Sequence, residues 1–178
     1  YGDYEGKFPQ ARALYLYMAI HPGKMLDFMG NEFAQLREFD ESREQDWMVL
    51  KYPNHDDFHR YRRALNEAYL ANEAFWSREY DPEAFRWLDC AHPELDACAI
   101  WREGHDGAVL AAFNFGDTEL KEYELTLPRA GRLTPILDTD WQCFGGQTEK
   151  PKRLVGKACG GELKLTLAPF SGQLFKLV

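Results

Sequence analysis

The stretch Met25-Leu26-Asp27-Phe28-Met29-Gly30-Asn31-Glu32-Phe33-Ala34-Gln35 passes from an apolar run to a polar one. The apolar part, 25–29, predicts a short buried strand, and the polar part predicts a loop leaving the strand's C-terminal end. In parallel α/β barrels, the loops at that end of the strands carry the chemistry. Asp27 fits this prediction worst, because an unpaired carboxylate in a buried strand is costly.

Helices are predicted on both sides of this stretch. Residues 8–20 are apolar nearly all round, with a proline in the first turn and Pro22-Gly23 as the stop. A second, amphipathic helix is predicted over 57–76, where apolar residues recur every 3.6 positions and Asp56 or Asp57 could cap the start. The loop between the two, 34–56, is polar, aromatic and long, and a loop of that length is usually functional.

The pattern changes near residue 81 to short alternating or apolar runs bounded by turn residues. The runs 97–101 and 108–115 flank Glu103-Gly104-His105-Asp106-Gly107, which is typical of a hairpin. Further runs are found at 85–89, 123–127, 133–137, 163–167 and 173–178. Seven or eight strands at this spacing predict an antiparallel β-sandwich.

Composition excludes several classes of function. A net charge of -8, with about -4 in each half of the 178 residues, argues against binding to nucleic acid or to an anionic membrane surface. No apolar run approaches the roughly 20 residues that cross a bilayer. The four cysteines, Cys90, Cys98, Cys143 and Cys159, form no C-x-x-C pair. They are expected to be free thiols, unless strands bring two of them together.

Glu32 is the first candidate for a site residue, because it follows the predicted strand in a loop rich in carboxylates and aromatic rings. It could instead pair with Arg37 or a neighbouring helix and only hold the loop. Asn31 and Gln35 could bind sugar hydroxyls or cap local backbone groups. Nothing in the spacing of the loop carboxylates distinguishes a pair suited to acid–base work.

Five tryptophans could offer flat faces to a ligand or fill a core. Trp76, Trp87 and Trp101 are expected to pack in the core. Trp47 lies in the polar loop and Trp141 in a turn-rich stretch, so these two are better placed to face a ligand. His55 and His59 stand four residues apart, but a metal site needs a third ligand, and the sequence shows none. No metal site is therefore expected, and no phosphate-binding loop indicates a nucleotide cofactor.

Short motifs in a fixed order resemble the C-terminal portion of a glycogen (1,4-α-glucan) branching enzyme of the α-amylase superfamily. They cover most of residues 2–146, and the ordered series is far more specific than any one motif. The matching motifs are Gly2-Asp3, Lys7-Phe8, Leu14-Tyr15, His21-Pro22-Gly23-Lys24, Phe28-Met29-Gly30-Asn31-Glu32-Phe33, Asp46-Trp47, Leu65-Asn66, Phe85, Trp87-Leu88-Asp89, Asn114-Phe115, Asp138-Thr139-Asp140 and Gly145-Gly146.

The resemblance implies an α+β fragment with two parts. Residues 1–80 would be the seventh helix, eighth strand, its loop and the eighth helix, which form the end of a catalytic (β/α)8 barrel. Residues 81–178 would be the C-terminal β-sandwich domain of α-amylase type. Family members usually carry an aliphatic residue at the position of Asp27. The strands that would pair with the eighth strand are missing, so this part could rearrange or self-associate when expressed alone.

The resemblance also implies a function for a parent enzyme in the cytoplasm. Such enzymes cut an α-1,4-glucan, hold it on an aspartate and pass it to a C6 hydroxyl as an α-1,6 branch, by a retaining mechanism. Their three catalytic carboxylates lie upstream, so no catalytic residue is expected in this chain. Asn31, Glu32, Phe33, Gln35 and Trp47 would line the wall of the substrate site.

Partners implied by the resemblance are an α-1,4-glucan and the missing N-terminal part of the same protein. Two alternatives for the chain itself stay open. It could bind glucan through Trp141, Phe144 or Trp47, or its β-domain could only shield an apolar flank of the barrel. A hydrolytic or debranching activity of the parent is a further alternative.

Overall fold

The computed structural model describes residues 3–178; residues 1 and 2, with the Gly2 of the resemblance and the start of the predicted 1–80 unit, lie outside the described part. Two helices precede eight strands along the chain. They are α1 (Lys7–Ile20), α2 (Pro53–Ala71), β1 (Phe85–Asp89), β2 (Ala97–Glu103), β3 (Ala108–Asn114), β4 (Leu120–Thr126), β5 (Gly131–Asp138), β6 (Lys157–Cys159), β7 (Glu162–Leu167) and β8 (Ser171–Leu177).

The helices lie close to their predicted positions. Helix α1 ends where His21 N–H donates to the Tyr17 carbonyl and Pro22 follows. Helix α2 begins at Pro53, four residues before the predicted start, since a proline in the first turn has no N–H to leave unsatisfied. The predicted cap at Asp56 or Asp57 is therefore wrong, because both residues lie inside the first turn or just after it.

The β-domain consists of two antiparallel sheets. One has six strands in the order β1-β2-β3-β8-β5-β6, and the other pairs β4 with β7. The predicted hairpin is confirmed: Glu103 of β2 pairs with Ala108 of β3, and Gly104 N–H donates to the Gly107 carbonyl at 2.7 Å. The expected antiparallel all-β domain is thus present.

Two apolar cores cover opposite faces of the large sheet. The core between the sheets contains Trp101, Leu110, Leu125, Leu167 and Leu177, among others. The other core lies between the large sheet and the helices. Strand β3 is buried on both faces, which explains why its sequence is one continuous apolar run rather than an alternating one.

The helix-side core joins the helices to the β-domain. It contains Leu16, Ile20, Phe58, Tyr61, Leu65, Phe113 and Leu174, among others. Two buried arginines form hydrogen bonds between the helical part and the β-domain. Arg12 donates to the Thr139 carbonyl at 2.7 Å, and Arg102 donates to the carbonyls of Ile20 and Phe75 at 3.1 and 3.0 Å. Arg102 thereby satisfies a carbonyl at the open C-terminal end of α1.

The prediction of a buried strand over 25–29 is wrong. Residues 24–28 are assigned to no strand, and Leu26 is 72% exposed and Phe28 46% exposed. The physical reason is the lack of a neighbour, since a strand forms only when another strand takes its backbone hydrogen bonds. No described strand lies beside this segment.

Helix α1 is also less covered than its sequence predicts. Leu14 is 50% exposed and Met18 36%, although the apolar pattern predicts burial on more than one side. Only the side facing the sheet and α2 is buried among the described residues. The apolar side chains of α1 and of 24–28 thus exceed what the described chain covers.

Candidate functional site

The polar loop, residues 30–52, begins with a tight turn at Gly30. Gly30 has φ of 89°, in the left-handed region, and a Cβ there would lie 2.8 Å from the Gln35 Cβ. Both facts favour glycine. The turn continues as a short 3-10 helix, Asn31–Phe33, and the Glu32 carboxylate accepts a hydrogen bond from Gly30 N–H at 2.9 Å. Glu32 therefore stabilises the turn itself rather than pairing with Arg37.

Two histidines of helix α2 contact the backbone of this turn. His55 Nδ1 lies 2.8 Å from the Phe33 carbonyl, and His59 Nδ1 lies 3.2 Å from the Glu32 carbonyl. Each ring must carry its proton on Nδ1 to donate to these carbonyls. The i, i+4 spacing of the two histidines thus reflects one helix face that supports the loop.

Gln35 ties the two ends of the following segment together. Its Oε1 accepts from Asp46 N–H at 2.8 Å and its Nε2 donates to the Arg37 carbonyl at 3.0 Å. Arg37 in turn makes a two-point contact with Asp46, at 3.0 and 2.9 Å, and donates to the Glu44 carbonyl at 3.0 Å. Of the two predicted roles for Gln35, the capping of local backbone groups is the one observed.

The loop carboxylates with a shifted pKa are held in the ionised form. The hydrogen bonds from Arg37 lower the pKa of Asp46, and those from Ser42 and Arg43 lower the pKa of Asp40 to about 2. A carboxylate that stays ionised at neutral pH cannot serve as a general acid. These two groups are suited to ordering the loop and accepting hydrogen bonds from a ligand.

An aromatic pair forms the middle of the loop. Phe33 is fully buried, and Trp47 packs on it with ring centroids 4.7 Å apart. Trp47 remains 45% exposed, and Asn31, two residues before Phe33, is also exposed. The site residues predicted in this loop are therefore brought together, with Phe33 buried beneath and Trp47 and Asn31 open to solvent.

Other large apolar side chains of residues 24–52 are exposed as well. Leu26, Phe28, Leu36, Phe39 and Met48 are each between 46% and 72% exposed, and the rings of Phe28 and Phe39 meet edge to face at 4.9 Å. A contiguous exposed apolar surface marks a place where another chain, segment or ligand packs.

Asp27, the residue least expected in an apolar run, pairs with Arg62 of α2. Arg62 is 1% exposed, and its guanidinium lies over the Tyr15 ring at 4.1 Å. A buried guanidinium needs a counter-charge, which Asp27 provides. Arg62 thus bridges α2 to the segment that precedes the polar loop.

Trp141 and Phe144, predicted as surface contacts for glucan, are buried instead. They are 3% and 5% exposed, and their rings stack on each other in the core between α2 and the sheet. Lys150 covers the outer face of Trp141 at 4.9 Å. The turn-rich sequence around Trp141 folds back under α2, so its aromatic rings fill the core.

Sequence reasoning missed an exposed aromatic cluster, which comprises Tyr17, His21, Phe85, Trp87 and Phe115. Trp87 lies 6.4 Å from Tyr17, 6.2 Å from His21 and 5.5 Å from Phe85, and Phe115 lies 6.0 Å from Tyr17. Trp87 is 41% exposed and Phe115 is 38% exposed.

Two of the three tryptophans assigned to the core are therefore misassigned. Trp101 is buried as predicted, but Trp87 and Trp76 are not. The position of Trp87 on β1, an edge strand with one neighbour, is the signal that could have shown it.

The described residues form neither a metal site nor a membrane-spanning helix. Residues 3–178 contain no group of three or more His, Cys, Asp or Glu side chains placed to hold a metal ion. Within the same residues, neither helix has the length and apolar character needed to traverse a bilayer.

The sequence of the β-domain places this chain in a known class. Residues 87–178 match the family described as "Alpha amylase, C-terminal all-beta domain". The match covers more than half of the chain and coincides with the eight-stranded part of the structure. The chain therefore belongs to this family.

Similarity to known proteins extends beyond that domain into the first half of the chain. The 1,4-alpha-glucan branching enzyme of Thiobacillus denitrificans is 33% identical over 98% of this chain, and that of Thermobifida fusca is 42% identical over 76% of it. The enzyme of Aquifex aeolicus is 36% identical over 82%. This chain spans only 18% to 25% of the length of these relatives. The resemblance to the C-terminal portion of a branching enzyme is confirmed.

Proposed function

We propose that this chain is part of an enzyme that transfers α-1,4-glucan chains to C6 hydroxyls, forming the α-1,6 branches of glycogen. The support is the likeness to three 1,4-alpha-glucan branching enzymes over most of the chain, including the polar loop and not only the β-domain. The predicted division at residues 80 and 81 separates the barrel part from the β-domain in this proposal.

The exposed apolar side chains of residues 24–52 support the proposal that the first part of this chain belongs to a barrel. In a (β/α)8 barrel, an extended segment between two helices pairs with strands on both sides. Segment 24–28 lies between α1 and α2, belongs to no described helix or strand, and exposes Leu26 and Phe28. In the longer protein it is the eighth strand, and upstream parts of the same chain cover this surface.

The polar loop then follows the C-terminal end of that strand, where barrel enzymes place their substrate. Trp47 offers an aromatic face, and Asn31 offers amide donors and an acceptor to sugar hydroxyls. Glu32, Phe33 and Gln35 hold the loop in shape through the Gly30 turn, the buried ring and the bonds to Asp46.

The covalent chemistry belongs to carboxylates elsewhere in the parent enzyme. A retaining transfer needs one carboxylate as nucleophile and one as acid–base group, about 5 to 5.5 Å apart. Asp40 and Asp46 are bound to arginines and hydroxyls within the loop. They shape the site rather than react. The free cysteines are in keeping with a cytoplasmic enzyme.

An iodine-staining assay on amylose tests this proposal. The full-length parent should branch amylose, this chain alone should not, and Trp47→Ala in the parent should slow branching or raise KM for the glucan. Trp76→Ala, an equally exposed tryptophan far from the loop in sequence, is the matched control. Branching by the chain alone would refute the assignment of the catalytic carboxylates to another part.

A second candidate function is a glucan-contact surface on the β-domain side. The exposed aromatic cluster favours it, because Trp87 and Phe115 are both exposed and both contact the Tyr17 ring, and the apolar body of an indole suits the face of a sugar ring. The aromatic cluster is the candidate contact in place of Trp141 and Phe144, which were predicted to contact glucan but are buried. The remaining alternative is that the β-domain only shields the barrel.

Calorimetry with maltoheptaose separates these two alternatives. We expect binding to the chain that Trp87→Ala abolishes and Trp76→Ala leaves unchanged. If the unmodified chain gives no heat of binding, the β-domain is a shield, and the branching assay remains unaffected by that result.

A further inference from the structure

The structure brings two of the four cysteines together. Strands β1 and β2 are antiparallel, and beyond an irregularity at 87–89 the residue Asp89 pairs with Ala99. Strand β1 ends at Asp89, and continuing its register by one residue beyond that end would place Cys90 opposite Cys98. All four cysteines are free thiols, with Cys90 exposed and Cys98 partly buried.

The two thiols also share one face of the sheet. The Asp89 carboxylate accepts from the Tyr123 hydroxyl at 2.7 Å, and Ala99 lies in the core between the sheets, so this pair faces β4. Successive side chains of a strand point to opposite faces. Cys90 and Cys98 therefore face the helix side, where Cys98 packs against the helix-side core.

We propose that Cys90 and Cys98 form a reversible cross-strand disulfide when the protein meets a peroxide. Directly opposite residues of antiparallel strands have Cα atoms about 4.5 to 5.5 Å apart. A disulfide joins residues whose Cα atoms are about 4.4 to 6.8 Å apart. The Cα separation expected from the continued register thus falls in the range that a disulfide spans.

Hydrogen bonds keep the intervening residues in place. Ala91 N–H donates to the Asp89 carboxylate at 3.2 Å, Leu95 N–H to the His92 carbonyl at 3.0 Å, and Phe115 N–H to the Asp96 carbonyl at 2.8 Å. The chain that leaves β1 is therefore anchored at both ends of the turn, which holds the two thiols beside each other.

The reaction runs in two steps. The exposed Cys90 thiolate attacks one oxygen of hydrogen peroxide, which gives a sulfenic acid and releases water after proton transfer. The Cys98 sulfur then attacks the Cys90 sulfur and displaces hydroxide, which takes the remaining proton as a second water. Two thiols lose two electrons and two protons, and one peroxide becomes two waters.

The second step should be slow at neutral pH. Burial, with smaller contributions from Cys90 and Asp89, raises the pKa of the Cys98 thiol to about 12. Only the thiolate attacks a sulfenic acid efficiently. The rate of disulfide formation should therefore increase with pH between 7 and 9.

The sequence offers a direct readout of the bond. Trypsin cleaves after Arg86 and Arg102, and no lysine or arginine lies between them, so both thiols fall on one peptide, 87–102. After peroxide treatment and alkylation, we expect this peptide to be unalkylated and lighter by two hydrogens, and thiol reduction should reverse the change. Cys143 and Cys159, on other peptides, should remain alkylated.

Two serine variants at exposed positions serve as test and control. In Cys90→Ser, peptide 87–102 should stay alkylated at Cys98, whereas Cys143→Ser should oxidise like the unmodified protein. The oxidised protein should also melt a few degrees higher than the reduced one, because the bond constrains the unfolded chain. Cys90→Ser should lack this increase.

Two results would overturn the proposal. The first is that Cys90 and Cys98 stay fully alkylatable after peroxide treatment at pH 7 and at pH 9. The second is that peptide 87–102 oxidises as readily in denaturant as in the folded protein, since the strand register would then have no part in bringing the thiols together.

Discussion

The polar loop and the β-domain differ in which side chains find partners within the described chain. In the β-domain, apolar residues find partners on both faces of β3, and two cores result. In segment 24–52, polar residues find the partners: Asp27 pairs with Arg62, and Asp46 with Arg37. The apolar residues there, such as Leu26 and Leu36, remain exposed.

The difference shows which contacts are local and which are not. Hydrogen bonds and ion pairs of the loop join residues close in sequence or on the adjacent helix. Apolar burial requires a second surface of similar size, and the described residues supply one to the β-domain but not to 24–52. Polar contacts thus hold the loop in place, although the described residues leave much of its apolar surface exposed.

The sharpest test of this contrast is a pair of identical substitutions. Leu110→Ala, in the core between the sheets, should lower the free energy of unfolding by about 2 to 5 kcal/mol, since it leaves a cavity. Leu26→Ala, at a side chain 72% exposed, should change it by less than about 0.5 kcal/mol. Urea denaturation measures both. A large loss with Leu26→Ala would mean that segment 24–28 is covered in solution.

The two regions should also respond to acid with opposite signs. Burial raises the pKa of Asp138, at the end of β5, to about 6 from 3.8. The hydrogen bonds from Asp140 N–H and Gln173 and the charge of Arg12 oppose this increase, and the charge of Asp140 adds to it. The folded state binds this proton more tightly than the unfolded state. Its contribution to stability is therefore complete below about pH 4 and is lost as the pH rises through about 6. The gap between the two pKa values corresponds to about 3 kcal/mol.

Asp40, in the polar loop, contributes in the other direction, because its pKa is lowered to about 2: its contribution is present above 3.8 and is lost as the pH falls through about 2. Unfolding free energies measured between pH 4 and 7 check the effect of Asp138. The decrease with pH should flatten in Asp138→Asn and persist in Asp117→Asn, an exposed control. Equal slopes in all three proteins would contradict the burial of the Asp138 charge.

The ion pair of Asp27 tests how the loop region is held. Asp27→Asn leaves the buried Arg62 guanidinium without a counter-charge and should lower the free energy of unfolding by about 2 kcal/mol. Combining it with Arg62→Met should restore part of the loss. A double-mutant cycle on chemical denaturation measures the coupling, and strictly additive effects would show that the pair is not formed.

The smallest effect concerns the link across the loop. Gln35→Ala removes the bonds to Asp46 N–H and the Arg37 carbonyl, and should lower local stability by about 1 kcal/mol. Amide hydrogen exchange should accelerate at Asp46 and stay unchanged across β3. Gln147→Ala, at an exposed glutamine of the β-domain, is the control. Unchanged exchange at Asp46 would contradict the bridging role of Gln35.

Periodicity alone predicted most of the secondary structure. The two helices, the hairpin between β2 and β3 and the antiparallel all-β domain followed from local patterns, because both partners of each contact lie in the chain. The strand over 25–29 did not form, since its apolar residues imply a pairing partner that the described residues lack. An apolar pattern shows that a segment is able to form a strand, and whether the strand forms depends on a neighbouring strand being present.

Side-chain exposure was harder to predict than secondary structure. Trp141 and Phe144 lie in a turn-rich stretch but fold under α2, whereas Trp87 lies in an alternating strand but at the edge of its sheet. The site residues of the polar loop do lie together, yet the roles of Glu32 and Gln35 in holding it depend on distances that a sequence does not contain. Whether the loop binds glucan stays a prediction.

The position of β8 affects how the protein can be made. β8 follows all other described strands along the chain, yet it lies in the middle of the large sheet, between β3 and β5. While the ribosome is still synthesising it, β1 to β3 and β5 to β6 are two separate ribbons with apolar faces in water. The domain therefore cannot complete its core vectorially. A nascent chain must wait for its final strand, and during that interval it is a natural client for chaperones.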